Sequence, residues 1–226
     1  ALTVSAMRRL STVRTISTDT YKKLIGVGGA TSGWVGEKAA RAETNTPTLR
    51  EIAINAKEIY ANPAATQTLL DDSAIDVGAW LADEAGIEFN EEESSAFITG
   101  NGVEKPMGIG AYTMVANASY AWGKVGFITS GHATLINNAD KFITLQHALK
   151  TSYRNGSSFL MNDTTLASIR YLKDGNGNYM FVPGLTAGAA DTLLGKPIEV
   201  DDNVADIGAN TYPVFYGNFK RAYTII

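Results

Sequence analysis

The fold of this chain is decided by residues 69–102, which read LLDDSAIDVGAWLADEAGIEFNEEESSAFITGNG. Acidic and hydroxyl residues at 71–73 can cap the free amides at a helix N-terminus, where negative charge also suits the helix dipole. Glycine and asparagine at 100–102 are residue types that adopt positive φ and end helices. The pattern predicts one helix over about residues 72–99, roughly 40 Å long at about 1.5 Å per residue. Helices in globular domains average about 11–12 residues, so we expect this one to act as a strut.

The predicted helix carries an apolar stripe that two carboxylates interrupt. At about 100° per residue, Glu88 and Glu92 fall among the apolar side chains of one face. Either this part of the helix is exposed, or the two carboxylates meet cations of another element or subunit, because a buried, unpaired carboxylate is strongly destabilising. Gly78 and Gly86 each cost a helix about 1 kcal/mol relative to Ala. Close approach of another backbone would explain both glycines.

Residues 18–58 are predicted to form a long hairpin. Their first half crowds glycines around a few apolar residues, a polar segment follows, and residues 51–60, EIAINAKEIY, begin with the alternation of a strand. A two-stranded hairpin alone is marginally stable in water, so this arm needs a partner surface, which a neighbouring subunit could provide. The tip segment at 36–43, GEKAARAE, is either a solvated loop of mixed charge or a set of salt bridges to that neighbour.

The remaining segments indicate a mixture of strands and helices. Residues 1–17 are rich in Thr, Val and Ile and are predicted to be a strand. Residues 138–154 and 163–172 have helical patterns, and residues 157–162 between them are typical of a short buried strand. Residues 109–226 are therefore expected to form an α+β domain with two helices beside a small sheet. The residues predicted to cap the two helices are Asn138 and Asp163.

Composition excludes several classes of protein. The 226 residues are 45% hydrophobic with a net charge of −4, which supplies a core but argues against a basic shell that grips phosphates. There is no cysteine, hence no disulfide, thiolate nucleophile or cysteine zinc site. No apolar run approaches the ~18 residues of a membrane span, and no signal peptide is recognised. Because the chain begins at Ala1 without methionine and ends on an apolar run, we expect it to be a piece of a longer protein.

The sequence offers little catalytic or metal-binding chemistry. His132 and His147 lie in different predicted elements, and the acidic residues of the long helix point in many directions around it. The glycine-rich run GVGGATSG lacks the spacing and lysine of a phosphate-binding loop. DGNGNY, residues 174–179, begins like a calcium loop, but Tyr179 and Leu185 replace its required glycine and glutamate, so we interpret it as a turn. We predict no catalytic residues, no cofactor and no metal site.

The order of motifs along the chain resembles that of tailed-bacteriophage major capsid proteins, which have the Hong Kong 97-type fold. No single motif is diagnostic; their order over some 200 residues carries the resemblance. The stretch at 69–102 is similar to the spine helix of that family. The other motifs are GWVGE at 33–37, KPMGIG at 105–110, FLMND at 159–163, LGKPIEV at 194–200 and FYGNFKRAYTII at 215–226.

The resemblance implies an α+β fold with a long spine helix, an extended β-hairpin loop and an α+β axial domain. Residues 1–17 would be a strand of the peripheral domain and residues 18–58 the extended loop. Residues 59–108 would complete the peripheral domain with the spine helix, and residues 109–226 would form the axial domain. We expect the N-terminal arm and C-terminal strands of the family to be missing from this sequence.

The resemblance also implies a function: a major capsid protein, not an enzyme, whose copies assemble as hexamers and pentamers into an icosahedral shell around double-stranded DNA. Its implied partners are itself, a portal, a scaffold or head protease, and DNA contacted non-specifically, with no membrane. It would be assembled in the bacterial host cytoplasm and reside in the virion capsid. Alternatives are an encapsulin-like or gene-transfer-particle shell protein and, in a different class, an α+β binding domain or enzyme. The candidate assembly residues are Trp34, Glu37, Lys38, Arg41, Glu43, Glu88 and Glu92.

Overall fold

The structure is a computed structural model that describes residues 5–35, 43–64, 76–181 and 191–226. The chain divides into two compact units. The smaller unit contains residues 14–58 together with Ile226, and the larger unit contains residues 1–13 and 59–225. The predicted peripheral and axial segments therefore share one compact unit.

The N-terminal segment is helical where a strand was predicted. Helix α1 spans Ala6–Leu10, and only Thr12–Val13 form a strand, β1. The predicted strand over residues 1–17 is therefore wrong for residues 6–10. Ala, Met, Arg and Leu are strong helix formers, and one helical turn buries the Met7 side chain completely.

The smaller unit is the predicted β-hairpin. Strands β2 (Thr20–Gly28) and β3 (Thr48–Asn55) are antiparallel, with a register shift between Gly26 and Gly28. Gly28 and Gly29, where the chain leaves strand β2, have φ of 91° and 100°. Glycine adopts such positive φ values readily because it has no Cβ. The second strand was expected to continue through residues 56–60, but it ends at Asn55. Throughout the described part of 14–58 no residue is buried.

The long helix, α2, spans Val77–Thr99 and is 23 residues long. Asp76 precedes it with an extended backbone, and its Oδ1 accepts a hydrogen bond from the Ala79 N–H at 3.0 Å. Asp76 thus has the capping role that was predicted for residues 71–73, which lie outside the described residues. The helix begins about five residues later than predicted, while its end at Thr99 is confirmed.

The end of α2 depends on close backbone packing. Gly100 has φ of −59°, so the expected positive φ is wrong there; among these residues Gly102 has it, at 76°. A Cβ on Gly100 would lie 2.0 Å from the Pro106 carbonyl oxygen, and one on Gly108 would lie 2.5 Å from that of Ile98. The Gly108 N–H also donates to the Gly100 carbonyl at 2.9 Å. The glycines of FITGNG and KPMGIG therefore let the returning chain lie directly on the helix end.

Short elements connect α2 to the central sheet. Strands β4 (Met114–Ala116) and β5 (Val125–Phe127) form a parallel pair. The single helix predicted over residues 138–154 is two helices, α3 (Asp140–Ala148) and α4 (Thr151–Arg154). The break is stabilised by the Arg154 guanidinium, which donates to the main-chain carbonyls of Leu149 at 2.7 Å and of His147 at 3.0 Å. The N-cap position of α3 is Ala139 and not the predicted Asn138, although the Asn138 Oδ1 accepts a hydrogen bond from the Asp140 N–H at 2.8 Å.

A four-stranded sheet forms the centre of the larger unit. Strand β6 (Ser158–Met161) pairs antiparallel with β9 (Val214–Gly217) and parallel with β8 (Lys196–Val200), beside which β7 (Thr192–Leu193) forms the other edge. Helix α5 spans Asp163–Arg170 after β6.

One helix cap near the sheet differs from expectation, and one helix was not expected. The cap of α5 is Asn162 and not Asp163, because the Asn162 Oδ1 accepts from the Thr164 N–H at 2.9 Å. The C-terminal run also contains a helix, α6 (Phe219–Ala222), before β10 (Thr224–Ile225) pairs with β1. Asn218 caps α6, accepting from the Arg221 N–H at 3.2 Å, so this segment is not continuously extended.

The core lies on both faces of β6, as the alternation of side chains along a strand requires. Leu160 packs on one face with Met7 of α1, Phe97 at the end of α2 and Phe215 of β9. Phe159 and Met161 pack on the other face in a second cluster; its other members are Phe142, Leu166 and Ile169. The first cluster therefore joins the end of the long helix to the sheet.

Candidate assembly surface

Most of α2 lies outside the core. Its buried residues are Val77 at the start and Ala96–Ile98 in the last turn. Between them, Leu81 and Phe89 are half-buried on the face that was predicted to be apolar. The adjoining helix surface presents one tryptophan and three acids at spacings of three and four residues, and Glu88 lies at its border with the apolar face. This acidic row consists of Trp80, Glu84, Glu88 and Glu91, all of them exposed.

Two carboxylates of α2 meet cations of the same chain. Glu92 pairs with Lys105 at 3.1 Å, and both side chains are more than half exposed. Glu93 pairs with Arg8 of α1 at 2.6 Å, with about one third of each side chain exposed. Glu88 is exposed, and it has no ion-pair partner among the described residues. The three acids of the row form no ion pair with a described residue, and acids spaced four apart on a helix repel one another by about 0.2–0.5 kcal/mol per pair.

The register of the hairpin gives its two faces different chemistry. Tyr21 lies opposite Ile54, Lys23 opposite Ile52 and Ile25 opposite Arg50, so these six side chains share one face. No acidic residue lies on this face of the ladder. We call it the basic face. The other face carries Lys22, which pairs with Glu51 at 3.5 Å across the strands.

The predicted assembly residues belong to both units. Trp34 is fully exposed and Glu43 is exposed, both in the hairpin unit, whereas Glu88 and Glu92 belong to the larger unit. Within the larger unit the structure brings Glu92 to Lys105. The other three candidates, Glu37, Lys38 and Arg41, lie outside the described residues.

Sequence reasoning missed the ion pairs that fasten α1. Arg8 reaches Glu93 of α2, and Arg9 reaches Glu199 of β8. The partners of each pair are separated by 85 and 190 residues. The adjacent basic residues in AMRRL were a signal for acidic partners, but no local pattern could identify which acids they meet.

A buried tyrosine fastens the returning loop at the end of α2. The Tyr223 hydroxyl donates to the Met107 carbonyl at 2.6 Å, and its ring packs edge-on against Phe97. Burial raises the pKa of the Tyr223 phenol, and the nearby Tyr112 raises it further. Burial also raises the pKa of Tyr112. Both phenols therefore remain neutral well into the alkaline range.

The acidic turn at residues 174–179 has the structure that was predicted for it. The Asp174 Oδ1 accepts from the main-chain N–H groups of Asn176 and Asn178, each at 2.9 Å. Hydrogen bonds from Asn178 lower the pKa of the Asp174 carboxyl. The carboxylate is thus occupied by the donors of its own turn.

Neither metal chemistry nor a membrane span is evident in the described ranges. There, no three side chains of the metal-ligating types His, Cys, Asp and Glu come together. None of the helices described combines the length and the apolar character that crossing a bilayer requires.

Comparison with known proteins gives the family. A profile of the phage capsid family matches residues 2–226. A capsid structure of a native GTA particle, computed with C5 symmetry, is 36% identical with a TM-score of 0.92, over 99% of this chain and 76% of that chain. The corresponding empty GTA particle gives a TM-score of 0.91 at the same identity. No curated protein matches the sequence.

More distant structures share the fold. One from Mycobacterium phage Bobi has a TM-score of 0.65 at 16% identity, covering 98% of this chain and 71% of that chain. The capsid asymmetric unit of Cyanophage A-1(L) has a TM-score of 0.61 at 17% identity, covering 93% and 70%. The hairpin, the long helix and the sheet thus form an α+β capsid fold, and this chain belongs to the phage capsid family.

Proposed function

We propose that this protein is the major capsid subunit of a tailed-phage-type head, and that its copies close into an icosahedral shell around double-stranded DNA. The observation that carries this function is the family match over residues 2–226, together with a fold that superposes along 99% of the chain on a GTA particle capsid. The shell of a gene-transfer particle is the second candidate. It is favoured by 36% identity with that capsid, against 16% and 17% with the two phage structures.

The contact that we propose between copies places the basic face of one hairpin on the acidic row of a neighbour's α2. The basic face has Tyr21, Ile25 and two isoleucines around Lys23. The acidic row has three carboxylates beside Trp80, which is 51% exposed. Opposite charges set the register of such a contact, while the apolar and aromatic surface supplies its affinity.

We assign the sequence-based assembly residues to the same contact between copies. Trp34, which precedes the tip segment, is a large exposed aromatic side chain, the type that anchors protein interfaces. We propose that Glu37, Lys38, Arg41 and Glu43 form salt bridges to a neighbouring subunit around it. Glu88 would meet a cation of another copy, and Glu92 would lie at the edge of the same contact beside Lys105.

The remaining proposals concern partners outside the subunit. The protein would act by self-association and not by catalysis, with hexamers and pentamers as its assembly units. A net charge of −4 suits an inner wall that contacts packaged DNA weakly and non-specifically. A portal and a scaffold or head protease would take part in assembly, which would occur in the bacterial host cytoplasm. Individually weak contacts suffice, because many neighbours hold each subunit in a closed shell.

The function is tested by light scattering on the full-length protein under assembly conditions. We expect large particles of uniform size. A protein that remains small, or one with reproducible turnover abolished by a single substitution, would contradict the shell function.

The proposed contact is tested by cross-linking between introduced cysteines, since these 226 residues contain none of their own. Copies with Lys23→Cys and copies with Glu88→Cys are co-assembled and treated with a short bifunctional thiol reagent. We expect covalent dimers between the two kinds of copy. Lys22→Cys, one residue away on the other face, is the matched control and should give far fewer. Equal yields from positions 22 and 23 would overturn the proposed use of the basic face.

A further inference from the structure

Three Asn–Gly dipeptides occur in the chain, at 101–102, 155–156 and 176–177. An asparagine before glycine can lose ammonia, because the unhindered glycine nitrogen can attack the asparagine side-chain carbon. The reaction needs a free asparagine amide, an available glycine N–H and access to water. The structure meets these needs unequally at the three positions.

The dipeptide at 101–102 is held in place. The Asn101 Oδ1 accepts from the Val103 N–H at 3.1 Å, and the Asn101 backbone bridges to Met107. Gly102 packs closely on the same methionine, whose sulfur would lie 3.1 Å from a Cβ at that position. Attack by the Gly102 nitrogen would require this packing to open.

The dipeptide at 176–177 is exposed, but its attacking nitrogen is occupied. The Asn176 side chain makes no hydrogen bond to a described residue. The Gly177 N–H, however, donates to the Asp174 carbonyl at 3.0 Å. This bond must break before the nitrogen can lose its proton and attack.

The dipeptide at 155–156 has neither restraint. Asn155 and Gly156 are both exposed, the Asn155 side chain has no hydrogen-bond partner in the described ranges, and within them the Gly156 N–H makes no turn bond. The Asn155 carbonyl accepts from the Asn218 Nδ2 at 2.8 Å. This bond draws electron density from the peptide group and makes the Gly156 N–H more acidic. The Lys196 ammonium, bonded to the Arg154 carbonyl at 2.7 Å, places a positive charge beside the preceding peptide.

We propose that Asn155–Gly156 is a site of spontaneous succinimide formation, and that Asn218 is the positioning residue that assists it. The Gly156 nitrogen attacks the Asn155 Cγ as its proton passes to water. A C–N bond forms, the Cγ–Nδ2 bond breaks, and ammonia leaves with a proton from solvent. Water then adds to one of the two imide carbonyls and opens the ring, giving aspartate or isoaspartate. No group is oxidised or reduced.

The product would alter the backbone just before the central strand β6. Ser157 and Ser158, which follow directly, are buried, and β6 begins at Ser158. Isoaspartate adds a methylene to the main chain and a negative charge at this entrance. We expect subunits modified at this position to unfold at lower temperature than fresh ones. The reaction needs only the folded subunit, so its test is independent of shell assembly.

The test follows all three dipeptides in one sample. Purified protein is incubated at mildly alkaline pH, digested, and analysed by mass spectrometry with separation of aspartate and isoaspartate peptides. We expect conversion at Asn155 to exceed that at Asn176 and Asn101. In denaturant the three rates should converge, because their sequence context is similar and only the fold separates them. If Asn101 or Asn176 converts faster than Asn155 in the native protein, the proposed site is wrong.

The role of Asn218 is tested by Asn218→Asp. Aspartate keeps an oxygen that can cap α6 but has no amide to donate to the Asn155 carbonyl. Loss of one hydrogen bond should slow conversion at Asn155 roughly three- to tenfold and leave the rate at Asn176 unchanged. Lys196→Gln, which removes the positive charge beside the preceding peptide, should also slow conversion at Asn155 and not at Asn176. An unchanged rate at Asn155 in Asn218→Asp would overturn the positioning role.

Discussion

At the scale of single residues, the subunit is fastened by side chains that meet across long stretches of sequence. Arg8 and Glu93 connect α1 to α2, and Tyr223 connects the C-terminal segment to the loop after α2. Sequence patterns could predict that Glu88 and Glu92 interrupt an apolar face, because that follows from helical geometry. They could not predict Arg8–Glu93, because nothing local determines which parts of a chain the core brings together.

The Arg8–Glu93 pair should contribute more to stability than Lys105–Glu92. Since its side chains are 35% and 34% exposed, against 57% and 56%, water screens it less. We expect a coupling energy of about 0.5–1 kcal/mol for Arg8–Glu93 and roughly 0–0.5 kcal/mol for Lys105–Glu92. Double-mutant cycles with Arg8→Ala and Glu93→Gln, and with Lys105→Ala and Glu92→Gln, measure both by urea unfolding. A larger coupling in the more exposed pair would contradict this ranking.

The Tyr223 phenol should make the subunit sensitive to alkali. Its pKa is raised in the folded state, so its contribution to stability is complete below the unfolded pKa of about 10 and decreases as pH rises above that value. Tyr223→Phe should lower stability at neutral pH by about 0.5–1.5 kcal/mol through the lost hydrogen bond. Between pH 9 and pH 11, a range that spans the unfolded phenol pKa of about 10, the variant should also lose less stability than the wild-type protein does.

Urea unfolding of both proteins at the two pH values measures this difference, and titration of lysines cancels in the comparison. Identical alkaline losses would show that Tyr223 does not carry the effect.

At the scale of elements, the long helix and the hairpin were predictable, because periodicity and turn residues are local signals. The start of the helix was not located, since Asp76 is one of several acids that could have capped it. Helix α1 was missed because its Thr- and Val-rich flanks favour a strand, and burial of Met7 decides otherwise. The break between α3 and α4 depends on an arginine folding back onto carbonyls, which leaves no periodic signature.

Two glycines of similar appearance in sequence should respond oppositely to substitution. Gly108→Ala would place a Cβ 2.5 Å from the Ile98 backbone, so we expect a loss of about 1–3 kcal/mol through overpacking. Gly86→Ala is the matched control: it has open space around it in the exposed part of α2 and should stabilise the subunit by about 0.5–1 kcal/mol. Thermal unfolding of both variants tests the pair. If Gly86 lets a neighbour's backbone approach, Gly86→Ala should also reduce shell yield despite its gain in stability.

The hairpin should be needed for assembly and not for folding of the larger unit. The described part of 14–58 has no buried residue, and none of these residues belongs to the two core clusters. Deleting residues 37–46 should leave a soluble, folded subunit that no longer forms stable shells. Circular dichroism and light scattering separate the two outcomes. Normal particles from this deletion would show that the tip does not take part in assembly.

At the scale of the whole molecule, the order of motifs predicted the capsid fold although no single motif did. The chain has a 23-residue helix and a core that joins the end of this helix to the sheet. Its hairpin has one face without acids, and its helix has a row of acids without cations among the described residues. The contact proposed between copies brings these two surfaces together. The sequence could not show which hairpin face carries the basic residues, because that follows from strand register.

Electron cryomicroscopy of particles formed by the full-length protein tests this account most directly. We expect closed icosahedral shells in which Lys23 and Tyr21 of one subunit lie on the Trp80–Glu91 segment of its neighbour's long helix. Failure to form shells under assembly conditions, or shells in which Lys23 faces solvent while Lys22 contacts the neighbour, would contradict it.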